Sequence, residues 1–258
     1  MSKNIIGQKK ILFISNKMNN VQIGGRKNLT NLNEKVLKNI FKENFFSYKL
    51  EKKKITSFYN VLLALTGNID GVNDKRIGII KYIIEKNKIT HVFIDGSNLG
   101  KISRKISNNS IKIITFCHNV ETNFFLKKFK TFFNFRNFYI LLANFLSEFQ
   151  TVYFSDYLIY LNNRDKKIME KYFYKKRSFI LPMCIDDKFK KYRNSINKNK
   201  FLLFVGSNFF GNVSGLKWYI DRIVNNIELK TYVIGKNLKS KKFARNPKII
   251  FKGFVRNL

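Results

Sequence analysis

A histidine with polar neighbours stands directly after an apolar stretch, in the sequence HNVE at residues 118–121. The preceding residues 111–117 (IKIITFC) predict a buried strand. Ligands of open α/β sheets bind outside the carboxyl ends of the strands, so a histidine in this position can face a ligand. We interpret His118 as the candidate catalytic residue, with a structural histidine as the alternative. Asn119 and Glu121 are then candidate residues of the same cleft.

A glycine-bounded loop at residues 206–211 is the second stretch with candidate chemistry. It follows an apolar run that predicts a buried strand, and it precedes apolar residues at helical spacing, with Asn212 or Ser214 as the expected N-cap. A strand, a glycine loop and a helix in this order can present backbone N–H groups to a phosphate. Asn212 and Val213 stand where the P-loop of nucleoside triphosphatases needs lysine and serine or threonine, which excludes that class. A phosphate-facing loop and a plain strand-to-helix connection stay open as alternatives.

The same pattern opens the chain. An apolar strand is predicted at residues 10–15 (KILFIS), followed by Gly24, Gly25 and then apolar residues at helical spacing over 29–40. The two openings lie about 190 residues apart, which indicates two α/β domains that each begin afresh. Between them, the predicted strand HVFID ends in a glycine-rich loop in which Ser97 can approach a ligand, with a plain turn as the alternative.

The composition supports this division. Hydrophobic residues make up 45% of the 258 residues, which is enough for a core in each domain. We predict an N-terminal domain over residues 1–186, a polar, lysine-rich linker over 187–200 and a partial C-terminal domain over 201–258.

The formal net charge of +34 is extreme for a chain of this length. A basic surface of this kind can attract an anionic membrane or nucleic acid. Lysine, asparagine, isoleucine and phenylalanine are all abundant and the lysines are spread from end to end, so the bias of an AT-rich coding sequence is the main alternative. We expect no nucleic-acid partner, because the sequence contains no recognition motif for one.

Residues 123–149 predict helix and contain nine phenylalanines. The interleaved basic side chains are Lys127, Lys128, Lys130 and Arg136. One interpretation is a core helix pair whose lysines extend to solvent. The other is a basic aromatic surface that lies on an anionic leaflet. The longest apolar run, 138–143, is too short to span a bilayer, so we expect peripheral contact only.

Metal and dinucleotide motifs are absent from the sequence. It contains no Asp-x-Asp pair for a metal-bound diphosphate and no GxGxxG. The two cysteines, Cys117 and Cys184, lack metal-binding spacing and suit a reducing compartment. The N-terminus lacks the long apolar core of a signal peptide. We therefore expect a cytoplasmic protein that needs neither a metal ion nor a bound cofactor.

The ordered set of these segments resembles a known family. It begins with the first strand and its glycine pair, Gly24 and Gly25. In chain order it continues with HNVE (118–121), SDYLIYLNNRD (155–165), ILPMCIDDKF (180–189), FLLFVGSN (201–208), YVIGKN (232–237) and IIFKGFV (249–255). It is similar to the GT-B-fold glycosyltransferases, specifically the nucleotide-sugar-dependent family 4 that builds bacterial surface polysaccharides. The resemblance implies an N-terminal acceptor domain and a C-terminal donor domain, both Rossmann-like. It also implies metal-independent, retaining transfer from a nucleotide-sugar, which acts as co-substrate, to a glycan or lipid-linked acceptor at the inner membrane face.

The resemblance also implies roles for particular residues. Gly24 and Gly25 would lie near the donor diphosphate, and His118 would face the transferred sugar. Gly206 and Ser207 match the glycine loop that opens the donor domain. Asn212, at the start of the following helix, completes the expected donor-binding set, and Ser97, Asn119 and Glu121 would line the acceptor side.

The sequence departs from the family in two places. Many relatives carry an arginine after the glycine matched by Gly206 and a lysine soon after it, whereas here Ser207 follows and the next cation is Lys217. Relatives also continue beyond the unit matched by 251–253, with a two-glutamate motif that grips the donor. We therefore expect a truncated copy with weak donor binding and no measurable transfer by itself. The alternative is a non-catalytic remnant that binds glycan, lipid or a partner protein.

Overall fold

The computed structural model describes residues 9–17, 25–51, 58–184, 200–238, 243 and 246–255, with the backbone alone at 58–61. The chain divides into two compact units, Met1–Cys184 and Ile185–Leu258. Gly24 and all but the last residue of the expected linker lie outside the described residues.

Strands and helices alternate along the first unit. The strands are β1 (Ile11–Asn16), β2 (Phe45–Leu50), β3 (His91–Asp95), β4 (Lys112–Cys117), β5 (Tyr157–Tyr160) and β6 (Ser178–Ile180). The helices are α1 (Gly25–Phe41), α2 (Phe58–Leu65), α3 (Asp74–Asn87), α4 (Gly100–Ile106), α5 (Glu121–Thr131), α6 (Phe135–Phe154) and α7 (Asn163–Tyr172). A short 3₁₀ turn, Lys42–Asn44, joins α1 to β2.

These strands form one parallel sheet in the order β2-β1-β3-β4-β5-β6. Both faces of its centre are buried, so the strands are apolar at successive positions instead of alternating with polar residues. Leu12 and Ile94 pack on the face that α3 and α4 cover. Phe13 and Phe116 pack on the opposite face with Leu29 of α1. The chain leaves β1 toward one edge of the sheet and β3 toward the other, so the direction of winding switches between β1 and β3.

The second unit repeats the design on a smaller scale. Its described strands are β7 (Leu202–Val205), β8 (Thr231–Ile234) and β9 (Ile249–Gly253), which pair in parallel in the order β7-β8-β9. Helix α8 (Phe210–Arg222) and a 3₁₀ turn, Val224–Asn226, lie between β7 and β8 in the chain. Side chains such as Leu216, Ile220 and Val233 form its core.

The predicted fold class, α/β with two parallel-sheet units, is confirmed. The prediction that 201–205 is a buried strand is wrong in one respect. Leu203 and Val205 of β7 are 49% and 56% exposed. The physical reason is the alternation of side chains: Phe204 packs on the core of the unit, so Leu203 and Val205 lie on the opposite face of this edge strand.

Helices α4 and α6 meet at a glycine. A Cβ on Gly100 would collide with the carbonyl oxygen of Ser147 and would lie 2.7 Å from the backbone nitrogen of Thr151. The two helices are also joined by hydrogen bonds, since the hydroxyl of Ser147 accepts from the N–H of Gly100 at 3.1 Å and donates to the carbonyl of Asn98 at 2.8 Å. This close approach holds the loop after β3 against α6.

The packing of α4 on α6 can be tested with two glycines. Gly100→Ala should lower the free energy of unfolding by about 1–3 kcal/mol or more, because the added methyl group forces the helices apart. Gly78, on α3, has no atom within 4 Å of an added Cβ. Gly78→Ala should therefore raise stability by up to about 1 kcal/mol, the difference in helix propensity. Urea denaturation followed by circular dichroism measures both, and a shift of the two variants in the same direction would contradict the packing.

Candidate functional site

The candidate site of the first unit lies at the carboxyl ends of β1, β3 and β4. Asn16 ends β1, Asp95 ends β3, and His118 directly follows β4. Arg26 reaches the same edge from the first turn of α1. This is the point where the winding of the sheet reverses, and open α/β sheets bind their ligands in the crevice at that point.

A histidine–carboxylate pair forms the centre of the site. Nε2 of His118 lies 2.9 Å from Oδ2 of Asp95, and the two side chains are 7% and 1% exposed. Helix α1 supplies two more donors to the same carboxylate, the hydroxyl of Thr30 at 2.6 Å and the amide of Asn33 at 2.9 Å. Burial by itself would raise the pKa of Asp95, but the hydrogen bonds from His118, Thr30 and Asn33 outweigh it and hold that pKa below its ordinary value. Asp95 is therefore a buried, ionised acceptor.

This carboxylate determines which ring nitrogen of His118 carries the proton. An ionised carboxylate only accepts hydrogen bonds, so Nε2 of His118 must be the donor. Nδ1 of the same ring is buried and has no hydrogen-bond partner among the described residues. In the neutral imidazole, Nδ1 is thus a free acceptor that can receive a hydrogen bond from a ligand hydroxyl.

Arg26 is the cation of the site. Its Nη2 lies 3.4 Å from Oδ1 of Asn98 and its Nη1 lies 3.6 Å from Oε1 of Glu121. Gly96 makes this approach possible: its φ is 145°, and a Cβ there would lie 3.1 Å from Nη2 of Arg26. The Asn98 amide also donates to Asp70, so the guanidinium belongs to a polar network. A planar guanidinium with spare donors can bind a phosphate or carboxylate in two-pronged fashion.

Unpaired buried polar atoms concentrate at this edge of the sheet. Across the described part of the chain, nine buried side-chain nitrogen or oxygen atoms have no hydrogen-bond partner, and six of them lie here. They belong to Ser15, Asn16, Arg26, His118, Asn119 and Thr122, although the Thr122 hydroxyl also interacts with the carboxylate of Glu148. Native proteins pair nearly all such groups, so these atoms are candidates to bind a polar ligand or ordered water at this edge.

A second buried carboxylate, Glu148 of α6, supports the site from behind. Its two oxygens accept the backbone N–H groups of Glu121 and Thr122, each at 2.8 Å, and the hydroxyl of Ser97 at 2.7 Å. Burial raises the pKa of Glu148 although these hydrogen bonds oppose the change. Glu148 thereby ties the loop after β3 to the start of α5, directly behind the residues that follow His118.

The structure places most predicted residues of the first unit together. Asn119 and Glu121 lie beside His118, and Gly25 is the exposed first residue of α1, next to Arg26. Ser97 is buried and its hydroxyl is used by Glu148, so its contact with a ligand stays a prediction. Gly24 lies outside the described residues.

The predicted residues of the second unit lie together at the carboxyl end of β7. Gly206 follows that strand, and the amide of Asn212 donates to the carbonyl of Ser207 at 3.2 Å. The helix begins earlier than expected, at Phe210, and its N-cap position makes no side-chain cap, so the assignment of Asn212 or Ser214 as N-cap is wrong.

Sequence reasoning missed Arg26, Asp95 and Glu148 as site residues. The sequence does contain a signal for two of these site residues. Arg26 follows the glycine pair, and Asp95 is the polar last residue of an apolar strand. Glu148 had none, because it lies in the middle of a helix among apolar residues. No group of three or more histidine, cysteine or carboxylate side chains suitable for a metal ion occurs among the described residues.

The His118–Asp95 pair can be tested by ¹⁵N NMR of the imidazole rings. The chain contains two histidines, so His118→Gln assigns the spectrum. We expect the wild type to show His118 with a protected Nε2–H, and Asp95→Asn to lose this signature because the ionised acceptor is gone. Asp156→Asn is the matched control, since Asp156 accepts from the N–H of Ile113 at the amino end of β4. An unchanged His118 spectrum in Asp95→Asn would contradict the assigned tautomer.

Comparison with known proteins identifies the fold. No protein-family model matches the sequence, and no curated protein matches it. The structure is similar to sucrose-phosphate synthase from Thermosynechococcus elongatus, with a TM-score of 0.63 and 11% identity over 96% of this chain and 71% of that chain. It is also similar to trehalose-6-phosphate synthase, with a TM-score of 0.50 and 10% identity over 96% of this chain and 73% of that chain. Both are GT-B glycosyltransferases, and at such low identity the similarity establishes the fold: the chain has the GT-B architecture of two Rossmann-like units.

Proposed function

We propose that this chain is a glycosyltransferase that moves a sugar from a nucleotide-sugar donor to a glycan or lipid-linked acceptor. The observation that carries the proposal is the His118–Asp95 pair at the switch point of a GT-B-type sheet. The absence of an Asp-x-Asp pair from the sequence favours a metal-independent reaction. The order of the segments supports a narrower assignment, to the family 4 enzymes of bacterial surface polysaccharide synthesis, with retention of configuration.

The first unit offers groups for both ends of the donor. Transfer breaks the bond between the anomeric carbon and the diphosphate oxygen, so negative charge grows on the departing diphosphate. Arg26 and the amino-terminal end of α1, where the helix dipole places partial positive charge, favour such a charge. His118 would accept a hydrogen bond from a hydroxyl of the transferred sugar through Nδ1. Asn119, Glu121 and Ser97 would line the acceptor side.

In the second unit, the loop after β7 is the candidate phosphate-binding element. Gly206 and Ser207 precede the amino terminus of α8, where backbone N–H groups can bind phosphate. The Asn212 amide would keep that loop in place through its bond to Ser207.

A non-catalytic binding protein of the same fold is the second candidate function. The observation that favours it is also in this loop, because no cation stands between Gly206 and Lys217 to neutralise a diphosphate. Such a protein would bind a glycan, a lipid or a protein partner through the first unit.

We place the protein in the cytoplasm, at the inner face of the membrane. None of the described helices combines the length and apolar character needed to cross a bilayer. The basic, phenylalanine-rich helices of the first unit support a peripheral contact.

Donor binding can be tested at Arg26. Calorimetric titration of the full chain with UDP, GDP and ADP should reveal binding of one nucleoside diphosphate. Arg26→Ala should weaken it about tenfold or more, since a charge-assisted hydrogen bond contributes about 1.5–3 kcal/mol. The matched control is Lys38→Ala, which removes an exposed cation from the last turn of the same helix. Equal weakening by both variants would indicate a general charge effect, and no binding of any nucleotide by the wild type would favour the non-catalytic candidate.

The role of His118 can be tested by transfer from radiolabelled nucleotide-sugars, with the first unit joined to an intact donor domain. His118→Ala should reduce turnover about 100-fold or more, the effect of removing one oriented polar group at a reacting centre. The melting temperature should change little. His91→Gln is the control, because His91 bonds to Thr90 at the amino end of β3, away from the site. A His118→Ala variant with the wild-type rate would remove this residue from the reaction.

A further inference from the structure

Helices α5 and α6 form a hairpin whose turn exposes a cluster of phenylalanines. This aromatic tip consists of Phe132, Phe133, Phe135 and Phe138, which are 51%, 85%, 83% and 44% exposed. Phe133 and Phe135 are more exposed than any other large apolar side chain in the described residues. Single exposed apolar residues are normal, but a contiguous aromatic group on a convex turn indicates an interaction surface.

Side-chain hydrogen bonds hold the turn between α5 and α6 in place. The side chain of Asn134 accepts the N–H of Asn137 at 2.8 Å and begins α6. The amide of Asn137, which is buried, donates to the carbonyl of Phe132 at 2.7 Å. From beneath, the ring of Phe129 contacts Phe133 and Phe138, with centroids 4.9 and 5.9 Å apart. The rings are therefore held outward by hydrogen bonds and packing.

The charged side chains of the hairpin near the tip are all basic. Lys127, Lys130 and Arg136 are exposed, and Lys128 is half-buried. No acidic residue occurs between Glu121 and Glu148, and both of these carboxylates are buried. The charge around the tip is thus complementary to an anionic surface.

We propose that the aromatic tip inserts into the interfacial region of an anionic lipid bilayer. Aromatic side chains favour the boundary between headgroups and acyl chains, and basic side chains around them are attracted to anionic lipids. The basic side chains beside the rings favour an anionic lipid surface as the occupant, because their charge is complementary to it.

The tip and the candidate site lie at opposite ends of one helix. Helix α5 runs from Glu121, beside His118, to Thr131, at the tip. Its 11 residues span about 16 Å at 1.5 Å per residue. Glu148 of α6 holds the first N–H groups of α5, so the hairpin and the site loop form one piece. Resting on the proposed function, this geometry points to a lipid-linked acceptor, which would reach the site while its lipid stays in the membrane.

Vesicle co-sedimentation of the full chain tests the contact. Wild-type protein should bind vesicles of phosphatidylcholine with 30 mol% phosphatidylglycerol, here used as the probe, far better than pure phosphatidylcholine vesicles, and binding should fall steeply with added salt. In the double variant Phe133→Ser/Phe135→Ser, the partition coefficient onto the anionic vesicles should fall about tenfold or more, because the two inserted rings are absent. The matched control Tyr82→Ser/Phe179→Ser removes two other aromatic side chains of the same unit, each 59% exposed, and should bind as the wild type does.

Several outcomes would overturn the proposal. These are absence of vesicle binding, equal binding of neutral and anionic vesicles, or equal loss in the tip and control variants. Concentration-dependent dimers of the wild type that the tip variant abolishes, without vesicle binding, would show that a second copy covers the tip. Nucleotide titration without vesicles is a separate readout, so vesicle binding without nucleotide binding would reject the proposed function and its acceptor while the membrane contact stands.

Discussion

A buried, ionised carboxylate is the constraint on which the first unit's site depends. Burial of a charge costs more free energy than a single contact contributes, unless hydrogen-bond donors surround the charge. Asp95 meets this condition with one donor from the loop after β4, His118, and two from α1, Thr30 and Asn33. The docking of helix α1 on the sheet therefore supports both the burial of Asp95 and the orientation of His118. The same helix brings Arg26 to this edge.

The two buried carboxylates respond to pH in opposite directions. The pKa of Asp95 is lowered on folding, so its contribution to stability is present above the ordinary aspartate range and is lost as the pH falls through the lowered value. The pKa of Glu148 is raised on folding, so stability declines as the pH rises from the ordinary glutamate range to the raised value. Asp95 thus orients the histidine and favours higher pH. Glu148 anchors the neighbouring loops at a cost that grows with pH.

Acidic residues are few in this chain, and three of them are buried near the candidate site. The chain has 16 acidic residues against 50 basic ones. Asp95, Glu121 and Glu148 are buried at or behind the site, where His118, Arg26 and backbone N–H groups need acceptors. Because these acids are withdrawn from the surface, the hairpin of α5 and α6 keeps an uncompensated positive charge around its aromatic rings.

The local pattern of the sequence determined the elements, and the tertiary structure decided their partnerships. Residues 91–95 were predicted as a strand and form β3, and His118 was predicted at the end of β4, because apolar runs and glycine punctuation are short-range signals. Which polar residues meet is a long-range property. His118 pairs with Asp95 because β3 and β4 are neighbours in the sheet, and Glu148 reaches Glu121 because two helices fold back on each other. The sequence likewise did not predict the exposure of β7, since an apolar run has the same sequence whether one face or both faces of its strand are covered. Periodicity shows which side chains are apolar, whereas sheet order and helix packing determine what lies against them.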